Sequence, residues 1–442
     1  MSFFSKIFGN KSVSKTKPDI HFGRYSDAYK SDVKYDAWDR AVEKFQARDY
    51  LGMYRDFFFY LSDEEEHNLN TSEKNGSIDF ELFQGSKKIV GTANSEEFRA
   101  EAKIAKVASL QMSLMKRLIE DNYDLKYGRY CIDKQGDISI VFDSLIADGS
   151  PYKLYYGLKE IAIAADKRDD LFLEEFKMLS PVNVSHTTPI DEVQKQTKAS
   201  YLRGVLEETL AEALHGPLNA KHYPGGITYL LLDAVYRLDF LTRPEGYTTE
   251  AFERMHRSFF AADGLNIPQK NKALITEMQK ILDRPAEKLK AELYRTKSTF
   301  GIINATSHQK LKEIIEGELD NMDWYLENDH EKIALSVPGY IVGHALFHYS
   351  LPEPDQDLLL LYYQIMEQNY FNDLGFELDL RNERGELNGG EIKNAILLIS
   401  DLHRVRYPKL LPKVSRLLYD SPAKFAKSFL LLVADLDLNR IR

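Results

Sequence analysis

Residues 122–143, NYDLKYGRYCIDKQGDISIVFD, constrain the fold of this chain more than any other stretch. Leu125, Tyr127, Arg129 and Cys131 share one face of an alternating segment, and Ile138, Ile140 and Phe142 share one face of the next. The polar run Asp133-Lys134-Gln135-Gly136-Asp137 joins them, and Gly136 can take the positive φ that such turns often require. The pattern predicts a β-hairpin. A helical segment and three strand-like segments precede it, and a long helical segment, 151–177, follows.

Ahead of the hairpin, Trp38, Ala41, Val42, Phe45, Tyr50, Tyr54, Phe57, Phe58 and Leu61 recur at helical spacing over 35–61. Gln46-Ala47-Arg48-Asp49 interrupts that stripe and divides it into two helices with a tight turn. The acidic run Asp63-Glu64-Glu65-Glu66 and the polar NLNTSEKNG after it predict a solvated loop rather than a metal site. Strands follow at 77–83, 87–92 and 97–107, with Gly85-Ser86 and Ala93-Asn94-Ser95 as turns. A helix over 112–120 carries Leu114, Met115, Leu118 and Ile119 on one face. Pro151 suits the first turn of the closing helix, whose apolar stripe is Tyr155, Leu158, Ile161, Ala162 and Ala165. The order α-β-β-β-α-β-β-α predicts an α+β domain with an antiparallel sheet over 35–179.

Residues 180–189 hold two prolines and no periodicity, so they read as a linker. Beyond it nearly every periodic segment is helical: 190–214, 228–241, 249–262, 271–282, 308–328, 331–348, 358–369, 391–406, 410–419 and 423–435. Thr248 or Thr249 can cap the third of these, and Pro338 should kink the sixth. No period repeats, so 190–442 is expected to be an irregular all-helical domain rather than a solenoid.

Residues 1–34 are expected to be a flexible leader, with Phe3, Phe4, Ile7 and Phe8 beside Lys6, Lys11, Lys15 and Lys17. The leader lacks the continuous apolar stretch and cleavage site of a signal peptide. Residues 1–17 read either as a weak anchor for a membrane surface or partner groove, or as a frayed end laying a few aromatics on the body.

A composition of 43% hydrophobic and 29% charged residues is that of a globular protein. The net charge of −10 argues against a nucleic-acid partner, because phosphate contacts need clustered Lys and Arg. The single cysteine, Cys131, excludes an intramolecular disulfide and any cysteine-based zinc finger, and points to a reducing, cytoplasmic compartment. No run of 18 apolar residues occurs.

The order of elements over 35–177 resembles the type III secretion chaperone-like fold, shared by secretion chaperones and YbjN-type sensory regulators of bacteria. The phrases that carry the resemblance are MKRLIEDNYDLKYGRYCIDKQGDISIVFD and YYGLKEIAIAADKRDDLFLEEF, a helix, a hairpin and a closing helix in close succession. The resemblance covers about a third of the chain and holds no catalytic signature. It implies a domain that binds a protein segment on an apolar surface, often as a homodimer, and does no chemistry. The helical half is not part of that pattern.

Candidate chemistry is sparse. His344 and His348 lie four apart on one helix, so they could present two imidazoles to one ion, with His330 or Glu353 as a third ligand. A glutamate directly after the first histidine, as zinc proteases have, is missing. Two histidines on an apolar helix are more often packing residues. The loop from His215 through His222 to Gly226 could receive an anion at the following helix N-terminus, or be a plain connection. No phosphate-binding loop, dinucleotide fingerprint or serine-nucleophile elbow occurs, so no cofactor is expected. Cys131, inside a strand, reads as a small buried hydrophobe.

The expected partner-binding residues are Tyr54, Phe57, Phe58 and Phe59, because four consecutive aromatics at 57–60 cannot all face one core from a helix. The expectation is therefore a non-enzymatic adaptor or chaperone-like protein that binds a protein segment through its α+β domain. The alternatives are an enzyme with a metal or anion site near His344 and His348, and a structural subunit of a larger assembly.

Overall fold

The computed structural model describes residues 18–182 and 187–439. Residues 1–17, with the basic and aromatic positions of the leader, and residues 183–186 of the linker lie outside the described residues. The chain forms two compact units, and it crosses between them more than once. Of the described residues, one unit comprises 25–182, 187–189 and 294–302; the other comprises 18–24, 190–293 and 303–439. Two boundaries therefore depart from the sequence expectation. Residues 18–24 are part of the helical unit: Ile20 is in its core, the Gly23 amide donates to the Phe240 carbonyl (2.8 Å), and Phe22 packs on Phe371. Residues 294–302, expected among the helices, complete the α+β unit.

The α+β unit is an antiparallel sheet with helices, as the pattern predicts. Helices α1 (Asp32–Gln46) and α2 (Tyr50–Leu61) come first. Four strands follow: β1 (Leu69–Lys74), β2 (Ser77–Gln84), β3 (Lys87–Ala93) and β4 (Glu97–Val107). Then come α3 (Met112–Asp124), β5 (Arg129–Ile132), β6 (Asp137–Leu145) and α4 (Pro151–Glu175). Strand order is β1-β2-β3-β4-β6-β5, with the short β7 (Leu179–Pro181) also on β4. The predicted hairpin is present with Tyr130 opposite Ile140 and Ile132 opposite Ile138. Asp133 closes its turn, with Oδ1 accepting from the amides of Gln135 and Asp137, and Gly136 has φ +80°.

β1 corrects the solvated loop expected after the acidic run. Its sequence, LNTSEK, is polar because nearly every side chain is exposed at the sheet edge, so no apolar alternation announces it. The signal is the turn: Asn75 and Gly76 both have positive φ, +51° and +75°, as a two-residue hairpin turn requires.

The linker also holds structure. Besides β7, the pair β8 (Thr188–Pro189) joins β9 (Tyr294–Arg295) in a two-stranded sheet. From β9 the chain runs on to seat Phe300 in the core of the α+β unit, 1% exposed. Gln84 fixes this segment, its Oε1 accepting from the Thr299 and Phe300 amides and its Nε2 donating to the Phe300 carbonyl.

The helical unit is built from α5 (Glu192–His215), α6 (Pro224–Thr242), α7 (Gly246–Phe260), α8 (Ile267–Leu282), α9 (Ala286–Ala291), α10 (His308–Glu318), α11 (Asn321–Glu327), α12 (Glu331–His348), α13 (Glu353–Met366), α14 (Gln368–Asp373), α15 (Gly389–His403) and α16 (Pro422–Ala434). The helix expected over 308–328 is two, and the one expected over 410–419 is only a 3-10 turn, Val414–Arg416. α7 begins at Gly246, so neither threonine caps it; the Thr248 hydroxyl bonds Glu292 instead. Pro338 lies within α12, which is continuous from Glu331 to His348.

α6 and α12 are apolar on nearly every face and buried together, as helices at the centre of a bundle must be. Two glycines on α12, four residues apart, let them approach. A Cβ on Gly339 would stand 2.3 Å from the Asp233 Oδ1, and one on Gly343 would stand 2.6 Å from the Tyr236 Cβ. A larger residue at Gly343 would press on the Tyr236 Cβ, and one at Gly339 would displace the Asp233 carboxylate.

Candidate functional site

The aromatic run expected to meet a partner is mostly core. Tyr54, Phe57 and Phe58 are buried, and only Phe59 stands out, 41% exposed. Phe58 packs on Phe80 (4.9 Å between ring centroids), Phe80 on Phe98 (5.3 Å), and Tyr54 on Phe98 (5.9 Å), so α2 is fastened to β2 and β4 by its rings. The run cannot face one side of a helix, but Phe57 is held from another direction, by Trp38 of α1 (6.4 Å). Phe59 is partly covered too: the Lys34 ammonium lies 4.0 Å from its ring centre and donates to its carbonyl (2.6 Å).

A row of exposed apolar side chains lies on α3 instead. Leu114 and Leu118 face the core, with Asp121 buried beside them. Met112, Met115, Ile119 and Tyr123 occupy the opposite face at 85%, 37%, 67% and 92% exposure, preceded by Leu110. The sequence reading placed Met115 and Ile119 on the buried face; the structure turns both outward. Apolar residues on two faces of a short helix were the available signal, since one face is enough to attach it.

The helix is held rigidly where it presents this stripe. Asn122 ties it to edge strand β5, its Oδ1 accepting from the Tyr130 amide (2.6 Å) and its Nδ2 reaching the Tyr130 carbonyl (3.5 Å). The Glu160 carboxylate of α4 accepts from the three successive amides of Lys126, Tyr127 and Gly128 at 2.7–2.8 Å. Lys116 and Glu120, 3.6 Å apart, also lie on α3. Cys131, on the opposite sheet face from Tyr130, is half-buried rather than buried, and burial pushes its thiol up.

In the helical unit, His344 and His348 are joined by His256 of α7, which the sequence did not single out. The three ring centroids lie 5.4–6.2 Å apart, and the His256 Nδ1 meets the Tyr236 hydroxyl at 2.8 Å. Desolvation and the neighbouring imidazoles push His256 and His344 down to about 4. The suggested third ligands are elsewhere: Glu353 lies near His403 and Arg406, and His330 stacks on Trp324. Among the described residues no group of three or more His, Cys, Asp or Glu side chains is arranged to hold a metal ion. The histidines form a neutral aromatic stack with Tyr236, Tyr340 and Phe347. His215, the last residue of α5, and His222, on the loop after it, are both exposed.

A polar cluster lies deeper in the same unit. Asp233 and Arg237, four apart on α6, share a face with Tyr362, Tyr363 and Glu367 from α13 and the residue after it. Arg237 donates to Glu367 and stands 3.6 Å from Asp233. Burial raises the Asp233 carboxyl to about 6, against the lowering pull of Arg237. A cavity of about 370 Å³ opens on this cluster, and a larger one of about 810 Å³ shares Met366, Glu367 and Arg381 with it.

No family model matches this sequence, and no curated protein matches it.

Proposed function

We propose that this protein is a non-enzymatic binding module, an adaptor or chaperone-like protein of a reducing, cytoplasmic compartment, whose α+β unit captures a protein segment on the outer face of α3. The observation that supports this reading is the stripe Met112, Met115, Ile119 and Tyr123, apolar and exposed on a helix anchored by Asn122 and Glu160. Large apolar side chains leave water with a gain of about 1.5–3 kcal/mol each, so a fixed row of them is a surface suited to a partner. Methionine adapts to varied shapes, which suits a surface that takes an apolar peptide face. Lys116 and Glu120 offer one charge of each sign to polar groups at the edge of the bound segment.

Placing a photoreactive phenylalanine at Tyr123 in native cells tests this reading. A discrete crosslinked adduct is expected, and Met112→Ser with Ile119→Ser should abolish it while the isolated protein melts within about 1 °C of wild type. An adduct that survives the double substitution, or a double variant that loses its fold, refutes the proposed surface.

A further inference from the structure

The 370 Å³ cavity of the helical unit is walled in a way that selects its occupant. Asp233 is 7% exposed and its Oδ1 has no hydrogen-bond donor; Tyr363 is 1% exposed and its hydroxyl has no partner; both line the cavity. Each cation around them already faces an acceptor. Arg237 is bonded to Glu367 and stands 3.6 Å from the Asp233 Oδ2, with only its Nε left without an acceptor; Lys332 pairs with Glu212 at 3.2 Å, and Arg381 donates to the carbonyls of Ile365 and Gly385. Glu208, also in the wall, has no cationic partner among the described residues.

An anion would meet Glu208, Glu212, Asp233 and Glu367 together. A wholly apolar guest would leave the Asp233 Oδ1 and the Tyr363 hydroxyl without partners, the costly arrangement for buried polar atoms. An ammonium group supplies three donors, enough for the Asp233 Oδ1 and the Tyr363 oxygen. Val205, Leu230, Leu335 and Met366 offer an apolar wall for an aliphatic stem. The exposed Glu208 provides for a second ammonium. The volume falls in the range of small-molecule sites.

We infer that this cavity binds a small aliphatic amine, a diamine in particular, with one ammonium on Asp233 and Tyr363 and the other at Glu208. It is independent of the surface on α3.

Calorimetric titration of the full chain with 1,5-diaminopentane tests this, with the equally long, neutral 1,5-pentanediol alongside. Saturable one-to-one binding of the diamine and none of the diol is expected. Asp233→Asn, which keeps shape and removes charge, should weaken the diamine at least about tenfold. Glu208→Gln, on an exposed side chain where folding is not at issue, should weaken the diamine severalfold and leave 1-aminopentane unchanged. No saturable binding by the wild-type chain up to about 10 mM, equal binding of the diol, or undiminished affinity in a folded Asp233→Asn variant each overturns the inference.

Discussion

Asp233→Asn also makes a sharp prediction about the protein without ligand. Folding raises the Asp233 carboxyl from its ordinary 3.8 to about 6, so between those values the folded chain holds more proton at this position than the unfolded chain. A group whose folded value is raised contributes stability that is full below the unfolded value and is lost as pH rises through the folded one. The loss approaches about 3 kcal/mol above pH 6, from two units at about 1.4 kcal/mol each. Asparagine does not titrate. The stability of the variant relative to wild type should therefore rise by about 2 kcal/mol between about pH 4.5 and pH 8, about 4 °C in melting temperature for a unit of this size. The lowered histidines His256 and His344 act in the opposite sense, since they favour folding as pH rises from about 4 to 6.5, but both proteins contain them and their effect cancels in the difference. Paired urea titrations of the two proteins across that range measure it. A difference that is flat with pH, or that falls as pH rises, refutes the reading of Asp233 as a buried, incompletely compensated carboxyl.

Phe58→Ser should cost about 3–5 kcal/mol, because it empties a buried ring site between Tyr54 and Phe80, whereas Phe59→Ser should cost less than about 1 kcal/mol; thermal melts of the two variants settle whether the aromatic run is core. A fragment of residues 25–189 lacks Thr299 and Phe300, so it should express as an unstable or aggregating chain, and adding residues 294–302 through a short glycine-serine linker should restore a cooperative melt. A stable, cooperative 25–189 fragment would contradict the part assigned to the returning segment.

The regular elements were legible where burial imposes a period. β4 and α12 have their predicted bounds, 97–107 and 331–348, because one alternates except at the bulge by Ile104 and Ala105 and the other is almost wholly apolar after its first two residues. Features that depend on distant partners were not legible. β1 is polar at a sheet edge, residues 294–302 have no period of their own, and His256 stands about ninety residues from the histidines it meets. Asp233 and Arg237 read as an ordinary pair four apart on a helix, and nothing near them in sequence marks Glu367 or Tyr363 as their neighbours. The outward face of α3 was hidden for a different reason: Met115 and Ile119 look like core residues, and only the position of the sheet decides which way a short helix turns.

The return of residues 294–302 to the α+β unit bears on how the chain emerges from the ribosome. Gln84 must wait for Phe300, 216 residues later, before its amide is satisfied, and at about 5–20 residues per second that is roughly 10–40 s of synthesis. Throughout that interval the sheet stands with its strands made and its last apolar plug missing. Vectorial synthesis, which normally lets an N-terminal domain close before the next begins, gives this unit no such head start. The α5 to α9 helices are made inside the gap, so the polypeptide must begin its second unit before it can finish its first. Slowing translation between residues 190 and 293 should lengthen the exposure of the incomplete sheet to chaperones and proteases in direct proportion.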